Sequence, residues 1–378
     1  MRKKRFCLWQ LLLVAALAAA VALGAGVLAL RAVTGMGGLS LLEAMALVNT
    51  RFVGEYDESE AVDAALSGLV SGLGDRWSYY LTEEAYQAQE ERRKNQYVGI
   101  GVTVSYEREE GLLILEVTPG GPAEEAGLTA GEVITAADGQ SLAGEARYEG
   151  ADRIRGEAGT TVTLEVTGTD GAVRSVEVNR RAVESNPVTY ELREDGIGYV
   201  KLSNFYEHSA ERLEEAVAEL QAQGAAALIF DMRNNGGGYL SELTHMLDFL
   251  LPEGPIFISR DRAGHETVTQ SDEACVDLPM AVLVNGDTYS AAEFFAAELQ
   301  EQGAAVIVGE PTSGKGYSQQ TFALPHGGAL AISTGAYFTG SGVSLIGTGL
   351  TLDREVALTG AGDAQLETAA ELLQENLT

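Results

Sequence analysis

The pattern of apolar and polar positions changes twice along the chain. Leu11 to Leu30 is an uncharged run of 20 residues with no polar face. At about 1.5 Å per residue, such a helix spans roughly 30 Å, the thickness of a bilayer core. Residues 39–53 and 58–73 then repeat apolar positions at spacings of three and four, which predicts amphipathic helices. The chain is therefore predicted to begin with an apolar anchor or signal helix, followed by a helical segment.

From about Asn95 the pattern becomes one of short alternating stretches with turn residues between them. These stretches are YVGIGVTVSY, GLLILEVTPG, EVITAADG and TTVTLEVTG. Alternation bounded by glycine, proline and aspartate is typical of strands joined by turns. A small β-rich domain is therefore predicted up to about Arg181.

Beyond that domain, continuous apolar runs alternate with amphipathic ones. The strand candidates are IGYVKL, ALIFDM, PMAVLVNG and AAVIVGE. A helix is predicted after the first of them, with Ser209 as its N-cap and Gly224 as its stop, and residues 362–377 predict a closing helix. Such alternation implies a βαβ core around a buried, largely parallel sheet.

The predicted fold class is α/β in an α+β multidomain arrangement. The expected divisions are 1–35 for a basic start and an anchor or signal, 36–95 for a helical region, 96–182 for the β-rich domain and 183–378 for the βαβ core.

Charge narrows the partners and suggests a location. The net charge of −30 argues against nucleic acid, because binding phosphates needs a basic face. Four basic residues at positions 2–5 precede the apolar run, which predicts a cytoplasmic N-terminus and an extracytoplasmic body. A cleaved signal peptide is the alternative, since Ala20 and Gly24 are small enough to permit cleavage.

Cysteine and histidine usage indicates neither an internal disulfide nor a metal. Cys7 precedes the apolar run and Cys275 lies in the body, so the two are expected on opposite sides of the membrane. There is no C-x-x-C or H-E-x-x-H pattern, and the four histidines are scattered.

Ser290 in VNGDTYSAAEFFAAEL permits two interpretations. With Glu293 three residues later, it forms the S-x-x-E capping box of a helix start. It also follows a predicted core strand, and ligands of α/β sheets bind beyond the carboxyl ends of the strands. Taken alone, the helix cap is the commoner role, but the position also suits a nucleophile, because helix-end N–H groups favour negative charge.

A nucleophilic serine needs a base. No histidine lies in an obvious position, although His245 and His326 remain open, and the G-x-S-x-G elbow is absent. Lys315, in GEPTSGKGYSQQ, also follows a core strand. A lysine acts as a base only where desolvation lowers its pKa, and a solvated loop lysine is the ordinary alternative.

The same stretch partly matches a phosphate-binding P-loop, G-x-x-x-x-G-K-[ST]. Gly316 stands where serine or threonine should hold magnesium, and the residues that follow alternate like a hairpin instead of forming a helix. Nucleotide binding is therefore not expected.

Taken together, several motifs in order resemble the carboxyl-terminal processing proteases, PDZ-containing serine peptidases. The resemblance covers residues 40–375 and rests on YVGIGV, GGPAEEAGLTAGEVITAADG, IRGEAGTTVTLEV, IGYVKLSNF, IFDMRNNGGGYL, VNGDTYSAAEFFAAEL, VIVGEPTSGKGYSQQ and GTGLTLDREV. It implies that Ser290 is the nucleophile and Lys315, 25 residues later, its general base. Gln319 is implied as the residue that orients the lysine, although some relatives use the position of Glu293. No cofactor is implied.

The resemblance also places an oxyanion hole and a peptide site. The oxyanion donors would be the N–H of Ala291 and that of Gly237 or Gly238 in the glycine loop. Gly236 stands where the family often has proline, which leaves the resting geometry of that loop open.

The β-rich domain resembles a PDZ domain, in which a peptide adds as an extra strand. The implied peptide-binding residues are Val98, Gly99, Ile100, Gly101 and Val102. The N–H groups of the middle three would receive a terminal carboxylate. Arg155 is a candidate regulatory residue, because PDZ domains of relatives can gate the active site.

The predicted function is that of an extracytoplasmic serine endopeptidase with a Ser–Lys dyad. The expected partners are proteins with accessible C-terminal tails, the membrane through the first helix, and in some arrangements a second copy of the chain. A catalytically silent PDZ scaffold and a Ser-His-Asp hydrolase are the alternatives. The first would lack Ser290 or Lys315, and the second would depend on His245 or His326.

Overall fold

A computed structural model of the chain describes residues 8–325, 327–358 and 362–377. The sequence predictions that concern residues 2–5, Cys7 and His326 lie outside these ranges. By its internal contacts the chain divides into two units, residues 1–65 and 66–378.

The first unit is dominated by one long helix, α1 (Leu8–Arg51). Its helical path breaks at Gly35, where φ is +66°. Within the described residues, one helix is long and apolar enough to cross a membrane; it covers Leu12–Arg51, with a mean hydropathy of 2.5 in its most apolar stretch. The predicted apolar helix and the helical pattern of residues 39–53 therefore both lie in α1.

The second unit opens with mixed elements. They are α2 (Glu58–Ser71, which begins before the division), β1 (Tyr79–Leu81) and α3 (Glu83–Arg93). Thr82 caps α3 by accepting a hydrogen bond from the Ala85 N–H at 3.3 Å.

The β-rich domain follows as a small antiparallel sheet with its own core. Its elements are β2 (Gln96–Gly99), β3 (Val102–Ser105), β4 (Leu112–Val117), α4 (Pro122–Glu125), β5 (Val133–Ala137), β6 (Gln140–Ser141), α5 (Gly150–Ile154), β7 (Thr161–Thr167), β8 (Val173–Asn179) and β9 (Arg181–Glu184). The sheet order is β3-β4-β5-β7-β8, and β2 pairs separately with β9. Alternating buried residues of β7 (Val162, Leu164 and Val166) pack in this core.

The remaining elements build the βαβ core and a second sheet. They are β10 (Val188–Leu192), β11 (Ile197–Leu202), α6 (Ser209–Ala222), β12 (Ala227–Asp231), α7 (Leu240–Leu250), β13 (Gly254–Asp261), β14 (Glu266–Ser271), β15 (Met280–Val284), α8 (Ala291–Glu301), β16 (Ala305–Gly309), β17 (Tyr317–Ala323), β18 (Ala329–Phe338), β19 (Arg354–Glu355) and α9 (Ala364–Leu377).

The core sheet has the order β10-β11-β12-β15-β16-β19, and only the β10–β11 pair is antiparallel. Successive side chains of β12 enter opposite layers: Phe230 packs with the cluster that holds α6, α7 and α8, and Ile229 packs with α9. This burial on both faces explains the continuous apolar runs that predicted a parallel sheet. The predicted α/β fold class is confirmed.

The second sheet joins the core through Phe257 of β13 and Tyr337 of β18, which pack in the same cluster. Its order is β1-β18-β13-β14, and β17 forms an antiparallel hairpin with β18. The alternation after Lys315 is therefore a hairpin, as predicted, and not the helix that a P-loop requires.

One local prediction was wrong. Ser209 is the first residue of α6 and not its N-cap, a position that His208 takes with φ +65°. The Ser209 side chain is fully buried, and its hydroxyl donates to Glu242 at 3.2 Å. A tertiary partner therefore replaces the local cap. Gly224 ends the helix as predicted, with φ +95° just beyond Gln223.

Candidate active site

The core sheet brings three loops to one edge. β12, β15 and β16 are neighbouring parallel strands, so the loops that follow their carboxyl ends lie side by side. These loops carry the glycine stretch 236–238, Ser290 and Lys315. The edge is where ligands of open α/β sheets bind.

The backbone of Ser290 is not that of an ordinary helix cap. An N-cap residue normally has an extended backbone, but Ser290 has φ +60° and ψ −128°. A residue other than glycine in this region is strained, and such strain is concentrated at functional sites. The Ser290 N–H donates to Glu293 Oε2 at 3.2 Å, so the carboxylate half of the capping box is present.

Ser290 lines a cavity. Its Oγ lies 3.1 Å from the phenol oxygen of Tyr337 on β18. The cavity has a volume of about 720 Å³. Ser290, Ala291, Gly238, Lys315 and Gln319 all line it, so five of the six residues predicted for catalysis and the oxyanion hole share one cavity.

Lys315 is desolvated beside aromatic rings. Its Nζ lies 4.9 Å from the centre of the Trp77 ring and 5.6 Å from that of Tyr289. Burial lowers the pKa of Lys315 to about 8, although the nearby charges of Glu293 and Asp75 act in the opposite direction. The amine is thus brought close to the range in which a neutral fraction is available near pH 7.

Glu293 joins the start of α8 to the lysine loop. Its side chain is fully buried. Oε1 accepts from the Thr312 hydroxyl at 2.6 Å and from the Gly314 N–H at 2.7 Å, and Oε2 accepts from the Lys315 N–H at 2.9 Å. One carboxylate therefore fixes the backbones of both Ser290 and Lys315.

The glycine loop passes directly over the start of α8. Gly237 has φ +83°, and a Cβ placed there would lie 2.7 Å from the Ala291 nitrogen and 2.9 Å from the Ser290 Cβ. Only glycine permits this approach. The Gly237 N–H donates to Asn235 Oδ1 at 2.8 Å, whereas the N–H groups of Gly238 and Ala291 have no hydrogen-bond partner among the described residues. These two N–H groups are the ones available to an oxyanion.

Gln319 lies in the cavity but is held by other partners. Its Nε2 donates to the Tyr317 carbonyl at 2.9 Å and to the Ser333 Oγ at 3.1 Å. The Ser333 hydroxyl donates in turn to Asp75 at 2.7 Å. Burial opposes ionisation of Asp75, but hydrogen bonds from Ser78 and Ser333 outweigh it and lower its pKa.

Reasoning from the sequence missed Trp77, Asp75 and Tyr337. Tyr337 is 47 residues from Ser290 and Trp77 is 238 residues from Lys315, and both contacts arise from the second sheet and the segment that enters it. In the sequence, only the aromatic cluster in DRWSYYLTEEAY pointed to the contact between Trp77 and Lys315.

Four of the five predicted peptide-binding residues line a second cleft, of about 460 Å³, at the β-rich domain. Gly99, Ile100, Gly101 and Val102 are among its lining residues. Val98 is not; it lies on β2, paired with Ala182 of β9.

Arg155 lines the same cleft. Its exposed side chain lies 3.5 Å from the equally exposed Asp152, a contact of little energetic weight. Arg92, at the end of α3, lines both this cleft and the catalytic cavity.

The described histidines lie elsewhere. His245 on α7 pairs with Glu214 at 2.9 Å and does not line the cavity of Ser290. Of the residues that the structure describes, no group of three or more histidine, cysteine or acidic side chains has the arrangement of a metal site.

Comparison with known proteins gives two family matches and several relatives. The model of peptidase family S41 matches residues 196–356, and a PDZ domain model matches residues 113–167. A carboxy-terminal-processing protease of Bartonella bacilliformis is 32% identical over 318 residues, which cover 81% of this chain and 72% of that protein. A carboxyl-terminal-processing protease of Synechocystis is 31% identical over 329 residues, covering 83% and 77% of the two chains.

A solved structure is similar over nearly the whole chain. The photosystem II D1 C-terminal processing protease superposes with a TM-score of 0.51 at 27% identity, covering 90% of this chain and 91% of its own. The fold and the cavity define a serine peptidase that carries a PDZ domain. The chain belongs to the carboxyl-terminal processing proteases of peptidase family S41.

Proposed function

We propose that the chain is an endopeptidase that captures the C-terminal tail of a protein in its PDZ cleft and cleaves an extended segment with a Ser290–Lys315 dyad. One observation carries the proposal: a strained serine and a desolvated lysine line the same cavity at the carboxyl edge of a parallel sheet.

The chemistry follows from the positions of these groups. Neutral Lys315 accepts the Ser290 proton as Oγ attacks the peptide carbonyl carbon. The N–H groups of Ala291 and Gly238 bind the oxyanion. The tetrahedral intermediate collapses as the leaving amine takes the proton back from Lys315. Water then attacks the ester, Lys315 accepts its proton, and that proton returns to Oγ as the acid product leaves.

Lys315 must move from its resting contacts for this step. Its Nζ lies over Trp77 and Tyr289, while the Ser290 Oγ is paired with Tyr337. Substrate that displaces water from the cavity would strengthen the desolvation that keeps the amine neutral. Gln319 is proposed to orient the amine once Lys315 has turned toward Ser290.

The charge of the PDZ cleft supports capture of a carboxylate. The chain has a net charge of −30. Yet the residues that line the cleft include Arg92 and Arg155 and no acidic residue. Gly99, Ile100 and Gly101 line the same cleft, and their N–H groups are proposed to receive the terminal carboxylate of an added strand. Arg155 is proposed to couple binding of the tail to opening of the active site.

The lining of the catalytic cavity favours apolar side chains next to the cut. Leu240, Leu243, Phe257 and Phe294 contribute apolar surface to the cavity. An extended segment of an unfolded protein presents such side chains, whereas a folded protein buries them.

The first helix is proposed to anchor the chain with the body outside the cytoplasm. Its apolar span carries exposed large side chains along its length. The basic residues 2–5 precede it, as the positive-inside rule requires for this orientation.

Four variants test the proposal in cleavage of an unfolded protein with an apolar C-terminus. Ser290→Ala and Lys315→Ala should each abolish cleavage and remain folded in a thermal melt. Ser241→Ala and Lys201→Ala are matched controls, because both residues are exposed in the same domain. Persistent cleavage by either active-site variant would refute the dyad. Binding of tails without cleavage by the wild type would instead favour a scaffold.

A further inference from the structure

The phenol of Tyr337 has the nucleophile as its hydrogen-bond partner. Its oxygen lies 3.1 Å from the Ser290 Oγ, and among the described residues no other partner of that hydroxyl is recorded. Several other tyrosines line the same cavity, but Tyr337 is the one whose hydroxyl meets the reacting atom.

The surroundings hold this phenol in place. The side chain is 6% exposed. Its ring packs edge-to-face on Phe294 of α8 at 4.5 Å and against Phe257 of β13 at 5.5 Å. Phe294 is four residues from Ser290 on the nucleophile's own helix, so the ring and the serine are positioned by the same element.

The backbone of Tyr337 also touches the lysine loop. Its N–H donates to the carbonyl of Gly316 at 3.1 Å, one residue beyond Lys315. One residue of β18 thus contacts the nucleophile through its side chain and the general base's loop through its main chain.

Burial raises the pKa of Tyr337 to about 12. The group is therefore a neutral phenol at any pH at which the enzyme would work, with one proton to donate. In a hydrogen bond between two hydroxyls, either oxygen can be the donor. The serine proton is available to Lys315 only if the phenol is the donor.

We propose that Tyr337 is a further catalytic residue, whose phenol donates a hydrogen bond to the Ser290 Oγ. The inference rests on the proposed Ser–Lys function. Donation by the phenol leaves the serine proton directed to Lys315. It also stabilises the negative charge that develops on Oγ as its bond to hydrogen breaks in attack, and again as its bond to the acyl carbon breaks in hydrolysis. The phenol keeps its proton throughout.

The test is Tyr337→Phe in the full chain in mild detergent. The change keeps the ring that packs on Phe294 and removes only the hydroxyl. We expect kcat to fall about 100-fold, the lower end of the range for loss of one preorganised donor, and KM to change less than twofold. Hydrolysis of the acyl-enzyme should slow as well as its formation.

Tyr199→Phe is the matched control. Its half-buried hydroxyl donates to Asp231 at 2.7 Å in the core sheet and does not line the cavity. It should lose stability without a comparable loss of kcat. Replacing Tyr337 by 3,5-difluorotyrosine keeps the side chain's shape and makes the phenol more acidic. Because an ionised phenol cannot donate, kcat should then fall at a lower alkaline pH than in the wild type.

The outcomes separate the two proposals. If the wild type cleaves and Ser290→Ala does not, but Tyr337→Phe keeps or increases kcat, the role of Tyr337 is overturned and the dyad stands. If kcat falls at the same alkaline pH in the fluorinated protein as in the wild type, the role of Tyr337 is likewise overturned. This measurement decides the question even if Tyr337→Phe folds poorly. If Ser290→Ala itself cleaves, the proposed function fails, and the inference fails with it.

Discussion

Among single residues, Lys315 as the proposed base predicts how the reaction depends on pH. Its pKa is lowered to about 8, chiefly by burial. Below that pH the amine is protonated and cannot accept the serine proton; above it the amine is neutral. We therefore expect kcat/KM to rise about tenfold per pH unit up to about pH 8 and then to level off.

A pH series of kcat/KM between 6 and 10 checks this expectation, with thermal melts at each pH to confirm that the protein is folded. A histidine base would give a profile that is already level by about pH 7, since an ordinary histidine has a pKa of about 6.5. A level profile of that kind would contradict the lysine assignment.

Gly237 offers a second test at this scale. Gly237→Ala adds a Cβ against backbone, 2.7 Å from the Ala291 nitrogen, at a positive φ. We expect kcat/KM to fall by about 100-fold or more as the oxyanion donors shift. The free energy of unfolding should fall by about 1–3 kcal/mol.

Gly236→Ala is the matched control. A Cβ there meets the tip of the Tyr289 side chain, 2.5 Å from its hydroxyl oxygen, and that ring can turn away. Its effect on kcat/KM should be much smaller. Equal losses in the two variants would show that the close approach of Gly237 to α8 has no special role.

Among the elements, the start of α8 and the lysine loop are held together because Glu293 accepts hydrogen bonds from both. Glu293→Gln replaces one acceptor oxygen by a donor, and whichever oxygen is replaced then faces at least one backbone N–H. We expect the free energy of unfolding to drop by about 2–4 kcal/mol and kcat to fall more than KM rises.

Chemical denaturation and steady-state kinetics measure both effects. Glu301→Gln serves as the control. This residue is exposed at the far end of α8, where it accepts a hydrogen bond from the Ser341 N–H. If Glu293→Gln changed neither the stability nor kcat, the proposed role of the Glu293 carboxylate would be refuted.

The elements themselves could be predicted from the sequence where one periodicity dominates. The apolar runs of β11, β12, β15 and β16 are buried on both faces, so they read as parallel strands without further information. Ser209 shows the limit of such reasoning. Its pattern matched an N-cap, but Glu242 of α7 supplied a tertiary partner that no local pattern contains.

The candidate site was predictable only in part for the same reason. Ser290 and Lys315 stand in local motifs, so their sequence context is informative. The contacts of Tyr337 and Trp77 depend on how the second sheet folds over the edge of the core. One partner of Gln319, the Ser333 hydroxyl, likewise lies on the neighbouring strand.

For the whole molecule, the proposed role of the first helix as an anchor can be tested directly. We expect the full chain to remain in the membrane fraction after an alkaline carbonate wash, because about 20 uncharged residues are enough to span a bilayer. A chain that begins at residue 36 should be soluble and should keep the kcat/KM of the full chain. Intact mass of the membrane-extracted protein distinguishes an anchor from a signal peptide, since cleavage near Gly24 would remove the segment before it.

The central claim is that Ser290 attacks the substrate with Lys315 as its base, and trapping the acyl-enzyme tests it most directly. The full chain would be mixed with an unfolded substrate, quenched in acid within one turnover, and analysed by intact mass and peptide mapping. The account predicts a substrate-derived acyl group on Ser290, present in the wild type and absent from Lys315→Ala. An acyl group on another residue, or cleavage with no acyl-enzyme formed and with Ser290→Ala as active as the wild type, would contradict it.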